Sequence, residues 1–214
     1  MNVILVVVAF TILLTGKSTV DDQLSEFFAC AKSGDLRRTE QLSKQLLARD
    51  TPSANLAVSI GMFMVNPARY RVQFVEEFPT SRDGLMTDLY SIEIAALTPS
   101  FMFSINRLGD LVAHGDSRAL AKVIRAIPNS DGAIGQGLCD IFNKEIIAQP
   151  KNVLAEVARL SSNDRARNLD CLLLQEGLSQ TVIEKLQPLC QEVESTSRKV
   201  ITETFGRVCS SEQE

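Results

Sequence analysis

A single imidazole is available for chemistry in this chain: His114, which stands immediately before Gly115. Any Ser–His or Cys–His nucleophile would have to use it, because the ring takes the hydroxyl or thiol proton. The sequence has no Gly-x-Ser-x-Gly elbow to hold such a nucleophile. A residue just before Gly-Asp reads instead as a helix C-terminus, where the ring meets the negative end of the helix dipole or caps the last carbonyls. One histidine excludes a histidine-based metal centre; an all-carboxylate centre is chemically open but has no spacing in its favour. Acidic pairs occur at Glu76-Glu77 and at Glu192 with Glu194. Acids so close on a helix diverge into solvent rather than converging on one substrate.

Two glycine arrangements imitate phosphate loops. Thr15-Gly16-Lys17-Ser18-Thr19 follows an apolar run, but a phosphate loop needs a glycine five positions before Gly16, where Thr11 stands. Without it the backbone amides cannot wrap the phosphates. Gly132, Gly135 and Gly137 lie inside an apolar stripe of Ile134, Leu138 and Ile141. They read as points of close helix–helix contact. No cofactor is implied by either, and the chain reads as a non-enzyme.

The cysteines are Cys30, Cys139, Cys171, Cys190 and Cys209, and no two have the Cys-x-x-Cys spacing of a metal knuckle. If helices begin near Ser130 and Asn163, Cys139 and Cys171 lie at nearly equal height. Alternate helices of stacked hairpins run parallel, so these two are a candidate disulfide. Cys190 and Cys209 would then close the last helix pair and leave Cys30 unpaired. The competing reading makes several of them small buried hydrophobes.

The remaining candidate site is apolar. Met62, Phe63 and Met64, and later Phe101, Met102 and Phe103, concentrate soft bulk in two short runs. Consecutive residues on a helix cannot all face one core. Some of the six must touch another layer, a ligand or a partner, and Met and Phe suit adaptable grooves.

The elements that carry these residues are helical throughout. Thr51-Pro52, Asn66-Pro67 and Thr98-Pro99 pair a capping residue with Pro at a first helical position. Apolar stripes at helical spacing include Leu24, Phe27, Phe28 and Ala31; Leu42 and Leu46; Leu85, Leu89 and Ile92; Leu120, Val123 and Ile124; and Val153, Leu154 and Val157. Residues 56–65 are apolar nearly all round and predict a central helix. No segment alternates with period two for long, so the fold class is all-α.

Two Gly-Asp turns, Gly34-Asp35 and Gly115-Asp116, lie 81 residues apart, and Pro67 and Pro150 lie 83 apart. This spacing predicts an internal duplication with repeats at 34–100 and 115–190, folded as stacked antiparallel helical hairpins, α-solenoid-like. The stretches AKSGDLRRTEQL and VAHGDSRALAKVI resemble the helix-pair turns of ankyrin- and HEAT-type solenoids, although the ankyrin TPLHxA signature is absent.

Before the helices, Val3 to Leu14 is an apolar run, interrupted only by Thr11 and followed by Gly16-Lys17-Ser18. A run of that length with a small–x–small site reads as a signal peptide over residues 1–18. A short uncleaved anchor or a buried first strand are the alternatives. The organisation expected is a signal, one all-helical domain over 19–209, and a polar tail over 210–214. The protein is then secreted or periplasmic, and touches membrane only through the N-terminal segment if uncleaved. A net charge of −4 and the absence of Trp argue against nucleic acid as a partner. The function expected first is a protein–protein interaction or scaffold module; the alternative is a carrier of an apolar small molecule or lipid in a Met/Phe-lined groove.

Overall fold

The computed structural model describes residues 20–97 and 102–173. All regular structure among them is helical. The expected signal segment, the expected Thr98-Pro99 helix start, Phe101, the expected Cys190–Cys209 pairing, the helices expected after residue 173 and the expected tail lie outside the described residues.

The chain runs through α1 (Val20–Ser33), α2 (Leu36–Leu47), α3 (Pro52–Val65) and α4 (Pro67–Glu77). A π-helical turn, Gly84–Leu89, leads into α5 (Tyr90–Leu97). Then follow α6 (Phe103–Ala113), α7 (Ser117–Ala126), a 3₁₀ turn at Ile127–Asn129, α8 (Gly132–Ala148), α9 (Pro150–Ala158) and α10 (Ser162–Leu173). Most helices pack on the next in sequence, although α4 turns to α7 instead, and several pack on the next but one, as α1 does on α3 and α6 on α8. Local packing of this kind follows from short connections, which leave each apolar stripe only nearby partners.

Helix α3 is central, as its all-round apolar sequence predicts. Residues Leu56 to Phe63 are buried without a break, and α3 meets α1, α2, α4 and the π-helical turn. Phe27 of α1 comes so close to α3 that Gly61 is required there: a Cβ would stand 2.2 Å from the ring. Between α6 and α8, Gly137 does the same work, its missing Cβ leaving room for Met102 and Ile105. Of the three glycines in that stretch, Gly137 makes the expected close helix contact, whereas Gly132 sits at φ +54° where α8 begins.

The two Gly-Asp turns share one geometry. Gly34 has φ +76° and Gly115 has φ +83°. In each, the glycine amide donates three residues back and the aspartate amide five residues back, to Ala31 and Cys30 or to Val112 and Leu111. These paired bonds close the preceding helix on a left-handed glycine. The aspartate carboxylate then caps the next helix, Asp35 accepting from Arg38 N and Asp116 from Arg118 N and Ala119 N. The breaks before α4 and α9 also match, with Asn66 at φ −144° and Gln149 at φ −141°.

Cys139 and Cys171 are joined, their sulfurs 2.09 Å apart and their Cα atoms 5.2 Å apart. The bond ties α8 to α10, and Asn143 Nδ2 adds a hydrogen bond to Cys171 O at 3.2 Å. Cys30 is a free, half-buried thiol. A buried disulfide belongs to an oxidising compartment. No helix among the described residues is long and apolar enough to cross a membrane.

Candidate functional site

Polar side chains fix the corner where α3 meets α4 and the start of α6, and an open cleft lies between those elements. Asn66 ends α3 and caps α4, its carboxamide oxygen accepting from Arg69 N at 3.1 Å. The sharp break brings Met64 and Pro67 to the same corner. Across from it, the start of α6 is held by Glu93 of α5. Its two carboxylate oxygens accept from Phe103 N at 2.9 Å and Ser104 N at 2.8 Å. Glu93 therefore does from another helix what an N-cap residue does locally. It is 1% exposed, and this burial pushes its carboxyl above the usual range against the pull of the amide bonds.

The cleft has a volume of about 770 Å³. Its apolar wall is built from Ala31 of α1, Phe63 and Met64 of α3, Pro67 of α4, and Phe103 and Leu111 of α6. Phe63 is braced from behind by Phe74, the rings stacked with centroids 4.4 Å apart. The polar groups are Lys32, Arg71, Arg107, Asp110 and His114. Phe103, Arg107, Leu111 and His114 recur every three or four residues, so one face of α6 supplies them all.

The polar groups are already oriented. Arg107 Nη1 donates to Asp110 Oδ2 at 2.9 Å, and its guanidinium lies 5.4 Å from the centre of the Phe103 ring. That contact sets the cation at the border of the apolar wall. Arg71 Nε reaches Asp116 Oδ2, the cap of α7, at 3.5 Å. His114 Nδ1 lies 2.6 Å from Asp110 O. A carbonyl can only accept, so Nδ1 carries the proton and a neutral ring keeps Nε2 as an acceptor. His114 is the C-cap of α6, the position its sequence context predicts.

Of the six Met/Phe residues singled out in the sequence, Phe63, Met64 and Phe103 line the cleft together. Met62 is absent from the lining and belongs to the core, which Phe63 shares while also facing the cleft. Met102 is the N-cap residue of α6, with φ +70°; its methyl occupies the space that Gly137 leaves open. Phe101 lies outside the described residues. Of the polar members only His114 was singled out, and as a helix end. Arg107 could have been found from its four-residue spacing to Phe103, with His114 on the same face eleven residues on. Lys32 and Arg71 carry no such signal, because only packing brings α1 and α4 to this place.

Among the described residues lining the cleft there is no hydroxyl or thiol for His114 to activate. No cluster of three metal-ligating side chains occurs among the described residues, and Glu76 and Glu77 are exposed. No protein-family model matches this chain, nor does any curated protein or solved structure.

Proposed function

We propose that this protein is an exported helical carrier that holds an apolar molecule in the cleft between α6 and the corner formed by α1, α3 and α4. The observation that carries the proposal is the Phe63, Met64 and Phe103 wall around about 770 Å³. Small-molecule sites are typically concave, mostly apolar and of about 300–1,000 Å³. Export is supported by the apolar run before Gly16 and by the Cys139–Cys171 bond. The architecture we propose is a duplicated stack of helical hairpins, supported by the matched turns at Gly34 and Gly115.

The scaffold reading rests on the same repeated turns, since stacked hairpins commonly present a surface to another protein. Exposed large apolar side chains that such a surface would use, Leu47, Val72, Tyr90 and Ile94, are scattered over α2, α4 and α5. The cleft gathers its apolar groups in one place, and this favours the carrier.

Native mass spectrometry of protein taken from its own compartment should show an apolar adduct. The neutral fluorophore N-phenyl-1-naphthylamine should bind, and Met64→Gln with Phe103→Asn should weaken it about a hundredfold, as expected for loss of two half-buried apolar side chains at about 1.4 kcal/mol each. Thermal melts should change little. A protein free of adduct and blind to the fluorophore would return the scaffold reading to first place. Unfolding of the variant would place both side chains in the core.

A further inference from the structure

Resting on the carrier reading above, we infer that the cleft takes its ligand by an anionic end, and that the occupant is an amphiphile with one carboxylate head on an apolar chain. Three cations, Lys32, Arg71 and Arg107, stand against two carboxylates, Asp110 in the lining and Asp116 beside Arg71. The chain as a whole has a net charge of −4, so the cleft reverses the sign of the molecule around it. A local field of this kind selects an anion.

The two arginines carry the argument further. Arg107 uses Nη1 on Asp110 and Arg71 uses Nε on Asp116. A guanidinium has five N–H donors in a planar fork, so each keeps donors for a second acceptor in a geometry that fits a carboxylate. Asp110 and Asp116 also set an upper limit. They stand beside the same cations and would repel a head group of high charge, so a monoanion fits better than a phosphate dianion. The stacking of Arg107 on Phe103 places the cation where apolar wall meets polar rim. A ligand seated there would turn its chain toward Phe63, Met64 and Leu111 and its head toward the arginines.

The test compares four probes of one chain length on the full mature protein: dodecanoate, 1-dodecanol, dodecyl phosphate and dodecyltrimethylammonium. Affinities are read by displacement of N-phenyl-1-naphthylamine, below micelle-forming concentrations. Dodecanoate should bind about tenfold more tightly than dodecanol at low salt, the lower end of what a charge-assisted hydrogen bond contributes. The preference should shrink as salt is raised. Arg107→Gln and Arg71→Gln, both at exposed side chains, should each lower the ratio of dodecanoate to dodecanol affinity, and weaken its salt dependence, in protein whose circular dichroism spectrum is unchanged. Equal binding of dodecanoate and dodecanol overturns the anionic-head inference and leaves the carrier reading standing. Tighter binding of the ammonium or the phosphate also overturns it. Failure of all four probes and of the fluorophore overturns the carrier reading itself.

Discussion

At Gly61 an added methyl would sit 2.2 Å from Cε1 and 2.4 Å from Cζ of Phe27. The ring cannot step aside, because it is fully buried and packed edge-to-face on Phe28 at 5.2 Å. Alanine favours a helix interior over glycine by about 1 kcal/mol, whereas overpacking costs about 1–3 kcal/mol. Gly61→Ala should therefore lower stability by up to about 2 kcal/mol, seen as a lower urea midpoint at unchanged slope. A stabilised variant would mean that the contact yields. Glu93 predicts a pH effect. Its folded-state carboxyl titrates above the ordinary value of 4.5, first because of burial, with the bonds from Ser104 and Phe103 pulling the other way. Between the two values the folded chain holds a proton that the unfolded chain has released. This contribution to stability is thus fully present below pH 4.5 and is lost as pH rises through the folded value. The unfolding free energy of wild type minus that of Glu93→Gln should fall across that range; a flat difference would contradict the assignment. Sequence spacing shows that Met62 and Met64 cannot share a face, but not which of them faces the core. That choice depends on where α6 lies.

Helix ends and stripes were the most legible parts, because caps and periodicity act within a few residues. Asp35, Thr51, Asn66 and Asp116 all cap where the sequence places them. The stretch after Pro79 was less so. A single helix over 81–97 is the natural reading of Leu85, Leu89 and Ile92, yet the chain forms a π-helical turn first, with Tyr90 N donating to Leu85 O. Five-residue bonds leave the buried positions close to α-helical spacing, so the stripe does not betray them. The expected start of α8 at Ser130 moved to Gly132, because Ile127–Asn129 winds into a 3₁₀ turn around Pro128. Even so, Cys139 and Cys171 meet as their heights on alternate helices suggest. Their bond closes a 32-residue separation, and chain-entropy reasoning assigns such a loop about 3–4 kcal/mol. Denaturation with and without reductant should differ by about that amount. Equal midpoints would mean that α10 is held by Asn143, Asn168 and packing alone.

Across the molecule, polar side chains sew the end of α4 and the segment after it to α7 and the chain around the start of α8. Lys122 of α7 donates to Glu76 O at 2.6 Å and Phe78 O at 3.0 Å, ending α4 from outside. Burial lowers the pKa of this lysine, with Glu77 opposing. Asn129 Nδ2 reaches Thr80 O at 2.9 Å, and Arg82 pairs with Asp131 at 3.2 Å. The cleft was half legible at this scale. Its Met/Phe content could be read from composition, but its cations converge only through packing, and convergence has no signature along the chain.

The placement of the cleft has a consequence for when it can be filled. One wall belongs to residues 31–71 and the other to residues 103–114. Neither segment alone encloses anything. The container exists only once α6 stands opposite α1, α3 and α4, so whatever fills it must meet the folded chain and not a growing one.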